Sequence, residues 1–156
     1  MKYLKLFESF NKFEIDEICK EYGITKYTIN PDGSIDVDDT VDLYLKNLIK
    51  IPLKFNKVNG WFDCRYNELI TLEGSPIEVN GYFECRNNYL TSFEFSPRII
   101  RGDFKCSNNN IKSFEYFPKF VKYFNCDDNP IFGIWELFED WTKIELLNDF
   151  DIFRVS

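Results

Sequence analysis

The chain repeats one pattern four times, reading WFDCRYNELITLEGSPIEV (61–79), YFECRNNYLTSFEFSPRII (82–100), DFKCSNNNIKSFEYFPKFV (103–121) and YFNCDDNPI (123–131). In each copy a phenylalanine stands two residues before a cysteine, and an asparagine stands three residues after it. The period is 21 residues and shortens to 20 at the last step. A fixed period of this length predicts a solenoid in which each repeat forms one coil. A fainter copy begins at Val41, so we expect about five coils over residues 41–131.

Each repeat predicts a short strand followed by a turn. The phenylalanine and the cysteine alternate with polar residues, so both side chains point to one face of a strand. The asparagine follows where the chain must turn, and an inward amide can bond to backbone groups of its own coil and of the next coil. Pro76, Pro97 and Pro118 argue against a regular helix in the second half of the repeat, and favour extended or turn-like backbone.

The segment before the repeats predicts a helix and a hairpin. Apolar residues from Ile15 to Tyr22 have the spacing of one helix face, and Gly23 follows as a helix stop. The turn sequence at 30–33 lies between two short β-like runs, which is typical of a hairpin. We therefore expect a helix–hairpin N-terminal cap over residues 1–40, because the end of a solenoid exposes core and strand edge unless it is covered.

The segment after the repeats is apolar and acidic. Its pattern predicts an amphipathic helix and hence a helical C-terminal cap over residues 132–156. Residues 127–156 carry 2 basic and 8 acidic side chains, so they hold −6 of the formal charge of −7. Residues 58–126 carry 8 of each sign, which disfavours direct nucleic-acid binding by the repeats. The chain is interpreted as one α+β, mainly β domain.

The repeat has a family resemblance. The run Phe62-x-Cys64-x-x-Asn67-x-Leu69 is similar to the leucine-rich-repeat consensus L-x-L-x-x-N/C-x-L. The Cys-Asn-Leu repeat with its Glu-Gly-x-Pro, the opening MKYLKLFESF and the close NPIFGIWELFEDWTKIELLNDFDIF resemble the small leucine-rich-repeat-like proteins of tailed bacteriophages. This resemblance implies a parallel-strand solenoid with a recognition role, and it carries over no catalytic residue.

The chain has five cysteines and no histidine, which limits the catalytic and metal-binding chemistry available to it. A parallel stack places the four aligned cysteines in a row about 4.8 Å apart, which cannot converge on a tetrahedral zinc ion and fits disulfide geometry poorly. We expect them, and Cys19, to be buried core residues. Without histidine the chain lacks the commonest general base and metal ligand. We therefore expect no enzymatic activity, metal site or cofactor.

The chain has no apolar run of the roughly 20 residues that would span a bilayer, and its start does not resemble a signal peptide. We expect a cytoplasmic protein without a membrane partner, in a reducing compartment that keeps its cysteines as thiols.

The residues that alternate with the inward phenylalanines and cysteines should point to the concave face of the solenoid. Read across the coils they form three rows: Thr40, Trp61, Tyr82, Asp103 and Tyr123; Asp42, Asp63, Glu84, Lys105 and Asn125; and Tyr44, Arg65, Arg86, Ser107 and Asp127. Exposed Trp, Tyr and Arg are enriched at interface hot spots. The partner-binding residues that we predict are Tyr44, Trp61, Asp63, Arg65, Tyr82, Glu84, Arg86, Lys105 and Tyr123.

The sequence thus predicts a non-catalytic protein–protein interaction module. The resemblance implies a host or phage protein as the partner, in the cytoplasm of an infected bacterium. Interference with a host protein or defence complex is one specific version of this hypothesis. Two alternatives stay open, namely a structural or assembly component of the virion and a nucleic-acid mimic that uses the acidic C-terminal segment. The sequence leaves the oligomeric state open.

Overall fold

The computed structural model describes residues 10–135, which form a mainly β structure with one helix longer than a single turn. The elements are α1 (Lys12–Glu21), β1 (Tyr27–Ile29), β2 (Ile35–Val37), β3 (Val41–Asp42), β4 (Phe55–Val58), β5 (Phe62–Asp63), β6 (Glu78–Val79), β7 (Phe83–Glu84), β8 (Ile99–Lys105), β9 (Phe120–Asn125) and α2 (Phe132–Trp135). The nine strands form one sheet, in which every pair is parallel except the β1–β2 hairpin. The predicted parallel-strand solenoid is confirmed.

Each turn of the solenoid contributes two short strands, which stack into two rows. The first row contains β3, β5, β7 and the second halves of β8 and β9, and it pairs Phe62 with Phe83 and Phe83 with Phe104. The second row contains β2, β4, β6 and the first halves of β8 and β9. The five sequence copies give five first-row strands joined by four successive pairings. Five strands joined by four connections make about four turns, whereas the sequence predicted about five coils.

The inward side of the first row is apolar, as the alternation predicted. Phe62, Phe83 and Phe104 are fully buried, and their rings follow one another at centroid distances of 5.4 and 5.6 Å. All five cysteines are buried and free, which confirms their assignment to the core. Burial of one such phenylalanine contributes about 1.5–3 kcal/mol, so this column is a main source of stability.

An asparagine from each repeat hydrogen-bonds the coils together. The Asn88 Nδ2 donates to the carbonyls of Cys64 (3.0 Å) and Cys85 (3.1 Å), and its Oδ1 accepts from the Leu69 N–H (3.0 Å). Asn67, Asn109 and Asn129 repeat this arrangement. The amides bond to the preceding coil rather than to the next one. The sequence could not distinguish these, because both neighbours lie at the same spacing.

Two columns of the coil have backbone in the left-handed region. One column follows the first-row strand and contains Leu45, Tyr66, Asn87, Asn108 and Asp128, with φ between 52° and 56°. The other, in the second half of the repeat, contains Gly74 (φ 96°), Phe95 (φ 63°) and Tyr116 (φ 62°). Glycine adopts this conformation freely, whereas other residues lose about 1–2 kcal/mol. Phe95 and Tyr116 of the second column are therefore strained, as are Leu45 and Tyr66 of the first.

A third column, Gly60, Gly81 and Gly102, lets the coils approach closely at the corner between the two strand rows. A Cβ built on Gly81 would lie 2.8 Å from the Gly60 carbonyl oxygen, and one on Gly102 would lie 2.7 Å from the Gly81 carbonyl carbon. These are backbone contacts that no side-chain movement relieves, so this corner requires glycine.

The predicted helix and hairpin are present at the N-terminal end of the stack. The Asn11 side chain and Glu14 form a capping box at the start of α1, and the left-handed Gly23 follows its end. Buried residues of α1 belong to the same core as the coils, and β2 pairs in parallel with β4. Of the predicted C-terminal cap only α2 is included, and the rest of that prediction lies outside the described residues.

Candidate protein-binding surface

The outward residues of the first-row strands meet on one face. We call Trp61, Arg65, Tyr82, Arg86 and Lys105, together with Asp63 and Glu84 beneath them, the Trp–Arg patch. Trp61 and Tyr82 precede the inward Phe62 and Phe83, and Asp63 and Glu84 follow them, so strand alternation turns all four outward. The parallel pairing then places equivalent residues of neighbouring coils side by side.

The aromatic part of the patch is a stacked pair. The rings of Trp61 and Tyr82 have centroids 5.4 Å apart and an interplanar angle of 4°. Both side chains are half-buried, so a face of the pair stays open to solvent. In the next coil Asp103 occupies the equivalent position, and Tyr123 follows as an exposed residue without a ring contact among the described residues. The predicted aromatic row is therefore continuous over two coils only.

The charged part of the patch has its carboxylates inside and its cations outside. Asp63 and Glu84 are 3% and 6% exposed, although both belong to the outward row. Arg65 bridges them, with its Nε 2.8 Å from the Asp63 carboxylate and its Nη1 3.3 Å from that of Glu84. Arg86 and Lys105 lie 2.8 and 3.4 Å from Glu84. Two adjacent carboxylates are thus compensated by three cations.

This arrangement changes the roles that the sequence assigned to Asp63 and Glu84. We predicted that both would contact a partner, but the side chains around them leave almost no carboxylate surface exposed. Arginine and lysine are long enough to fold back over a short carboxylate on the same face, which strand alternation alone does not reveal. In the structure Asp63 and Glu84 hold the cations in place, and the cations face the solvent.

Burial also changes the titration of the patch. It raises the pKa of the Asp63 carboxyl, and the neighbouring Glu84 adds to the rise. The backbone N–H of Arg65, which donates to Asp63 at 3.0 Å, and the Arg65 guanidinium act in the opposite direction. The pKa of the Tyr82 hydroxyl is raised by burial and by the same two carboxylates. The charged form of Asp63 therefore exists at a cost to stability.

Two further aromatic residues adjoin the patch. The Arg65 guanidinium carbon lies 5.0 Å from the centroid of the Tyr44 ring, within the range of a cation–π contact. The Tyr44 ring contacts that of Tyr66 edge-on at 5.7 Å. Tyr66 was missed by the sequence reasoning, because it does not alternate with the inward residues. The sequence signal that could have found Tyr66 is its place in the repeat, since the equivalent residues of later coils are Asn87 and Asn108.

Other chemistry has little support in the described part of the chain. Between residues 10 and 135 no group of three or more His, Cys, Asp and Glu side chains is placed to hold a metal ion. Burial raises the pKa of the Cys64, Cys85 and Cys106 thiols well above the ordinary value, so their reactive thiolate form is disfavoured. No helix within the same residues is long and apolar enough to cross a membrane.

Comparisons of the chain with family models, with curated proteins and with solved structures found no match. The candidate surface therefore has to be interpreted from its own geometry.

Proposed function

We propose that this chain is a non-catalytic protein-interaction module, and that the Trp–Arg patch contacts the partner. The observation that carries the proposal is the stacked Trp61–Tyr82 pair beside two arginines whose guanidinium groups are held by buried carboxylates. Trp, Tyr and Arg are the residue types most enriched at hot spots. Side chains that are already fixed lose less entropy on binding, which favours affinity.

The energetic cost of the patch supports a role beyond folding. A solenoid must place some side chain at each outward position, and exposed threonine or asparagine would serve without desolvating any charge. This chain instead buries Asp63 and Glu84, and the loss of hydration of a buried ion pair often exceeds its Coulombic gain. A costly arrangement that presents ordered arginines at the surface is better explained by recognition than by stability.

The resemblance to the small leucine-rich-repeat-like proteins of tailed bacteriophages supports a more specific proposal. The coils are of the leucine-rich-repeat type, with the helix and hairpin as their N-terminal cap. The partner is a host or phage protein in the cytoplasm of an infected bacterium. Interference with a host protein or defence complex is the version that a binding module without catalytic residues suits best.

The test is a capture experiment from bacterial lysate with a matched control. The bait is the wild-type chain, the Trp61→Ala/Tyr82→Ala variant, or a Phe13→Ala/Tyr89→Ala variant that removes two exposed rings outside the patch. A partner should be retained by the wild type and by the control and should be lost from the patch variant. Equal capture by all three baits would refute the assignment of the patch.

The two alternatives predict different outcomes. A chain lacking residues 134–156 should keep its partner if the patch is the binding element, and should lose it if the acidic segment acts as a nucleic-acid mimic. Capture by a mimic should also weaken steeply as salt is raised. If the chain is a virion component, it should co-purify with purified particles, and it should capture no protein from the lysate.

A further inference from the structure

A second surface lies away from the Trp–Arg patch, in the second half of the repeat. There an open groove with a volume of about 780 Å³ runs across several coils. Its floor includes the buried Phe55, Phe93 and Phe117, and its rim includes the exposed Ile77, Phe95 and Tyr116. We call this the corner groove. None of its lining residues belongs to the patch.

The rim of the corner groove contains the strained aromatic column. Gly74, Phe95 and Tyr116 occupy the same position in successive coils, and all three have left-handed backbone. Phe95 is 51% and Tyr116 61% exposed, so burial does not compensate for the strain of a bulky residue in this conformation. Uncompensated strain of this kind concentrates at functional positions. Gly74 carries no side chain at the position of these rings, and it lines the groove together with Phe95.

Some of the charged side chains that line the groove have an ion-pair partner and others do not. Of the four arginines in residues 10–135, Arg98 alone has no carboxylate within 4.0 Å, and Lys119, at the equivalent position one coil later, also has none in that part of the chain. Both line the groove next to the aromatic rim. Lys54 at the other end is neutralised by Asp32 at 2.7 Å. Glu73 is the one lining carboxylate without an ion pair among the described residues.

We propose that the corner groove binds an extended acidic segment of a partner protein. One apolar side chain of that segment packs at Gly74 beside the exposed rings, and its carboxylates pair with Arg98 and Lys119. Aromatic rings and cations could also stack bases and hold the phosphates of a single strand. A single strand carries a phosphate at every nucleotide, which Glu94 and Glu115 beside the rim aromatics would repel. A peptide can place its carboxylates at Arg98 and Lys119 alone, so the peptide is the better occupant. This proposal is independent of the function of the patch.

Fluorescence anisotropy with short labelled probes tests the ligand class. The probes are the peptides Asp-Asp-Phe-Asp-Asp and Lys-Lys-Phe-Lys-Lys and an oligothymidylate of matched length. The acidic peptide should bind saturably to the wild-type chain, and the other two probes should bind at least tenfold more weakly. Absence of saturable binding by the acidic peptide, equal binding of the two peptides, or tighter binding of the oligothymidylate would overturn the proposal.

Variants then locate the site. Arg98→Ala/Lys119→Ala should weaken the acidic peptide at least tenfold, whereas Lys112→Ala, at an exposed lysine outside the groove, should not. Gly74→Phe should abolish binding by occupying the position of the apolar side chain, and it should fold because Phe95 already has this conformation one coil later. Trp61→Ala/Tyr82→Ala should bind the peptide normally, which separates this site from the patch. If the double charge variant binds as the wild type does, the assignment is wrong.

Discussion

The two faces of the first-row strands differ in one respect that separates folding from function. On the inward face the same residue types recur in the four coils that follow the first: phenylalanine, cysteine and, at the following turn, asparagine. On the outward face no position keeps one residue type through the stack, since Trp61 is followed by Tyr82 and then by Asp103. Equivalent inward positions have the same surroundings in successive coils, so the same residue types recur there. The identity of the outward residues is therefore not determined by the repeated packing of the core.

The faces also differ in how their polar groups are satisfied. Inside, each buried amide bonds to backbone groups that would otherwise be unpaired, and the arrangement holds adjacent coils together. Outside, the buried carboxylates are compensated mainly by surface cations, with one backbone N–H, that of Arg65, donating to Asp63. The inner network stabilises the fold, whereas the outer one fixes side chains at a cost. Substitutions on the two faces should therefore have effects of different size and kind.

Removal of an inner ring should have the largest effect. Phe83 lies in the middle of the stack and contacts rings on both sides, so Phe83→Ala should lower the free energy of unfolding by about 3–5 kcal/mol. Because each coil supports its neighbours, the whole array should unfold at a lower denaturant midpoint. Phe13→Ala, at an exposed position of α1, should change stability by about 0.5 kcal/mol or less. A similar loss for both variants in urea denaturation would contradict the assigned inner face.

Removal of an inner amide should come next. Asn88→Ala leaves the Leu69 N–H without its partner and removes the donor to two carbonyls, which should cost about 2–4 kcal/mol. Asn110→Ala is the control, because that side chain is exposed and makes no hydrogen bond in the described part of the chain. Denaturation by urea compares the two. Equal midpoints would mean that the asparagine column does not hold the coils together.

Removal of the outer aromatic pair should cost less. Trp61 and Tyr82 are half-buried and stacked, so Trp61→Ala/Tyr82→Ala should lower the free energy of unfolding by about 1–2 kcal/mol. The circular dichroism spectrum at 25 °C should be unchanged. A loss as large as that of Phe83→Ala would show that the outer pair belongs to the structural core.

The smallest effect should be a dependence on pH from the outer network. Burial raises the pKa of Asp63 above 3.8, so the folded chain holds this proton more tightly than the unfolded chain does. Folding therefore disfavours the charged form, and this penalty appears as the pH rises through the folded pKa and disappears as the pH falls. Asp63→Asn removes the titration. Its melting temperature, relative to the wild type, should be higher at pH 7 than at pH 4.5.

Asp32 provides the matched control for that experiment. The Lys54 ammonium and the Ser34 hydroxyl and N–H lower the pKa of Asp32, so its stabilising contribution is lost only as the pH falls below about 3.8. The difference between Asp32→Asn and the wild type should therefore stay nearly constant from pH 7 to pH 4.5. Parallel behaviour of the two variants in thermal melts would contradict the burial of the Asp63 charge.

The features that repeat from coil to coil could be predicted from sequence, and the features specific to single coils could not. Period and alternation give the inward side of Phe62 and Cys64 and the outward side of Trp61, because these depend only on strand geometry. The burial of Asp63 and Glu84 depends instead on where long side chains of neighbouring coils fold, which has no period. The strain at Phe95 and Tyr116 could not be predicted for a related reason. Glycine in a sequence indicates a possible left-handed backbone, whereas an aromatic residue does not.

We propose that the Trp–Arg patch binds a protein partner while the inner face maintains the fold. The most direct test is calorimetric titration of the captured partner with wild-type chain, the Trp61→Ala/Tyr82→Ala variant and the Phe13→Ala/Tyr89→Ala control, each verified as folded. Loss of a hot spot of about 2 kcal/mol corresponds to roughly thirtyfold weaker binding. We expect at least that loss for the patch variant and less than a threefold change for the control. Wild-type affinity in the folded patch variant would contradict the claim.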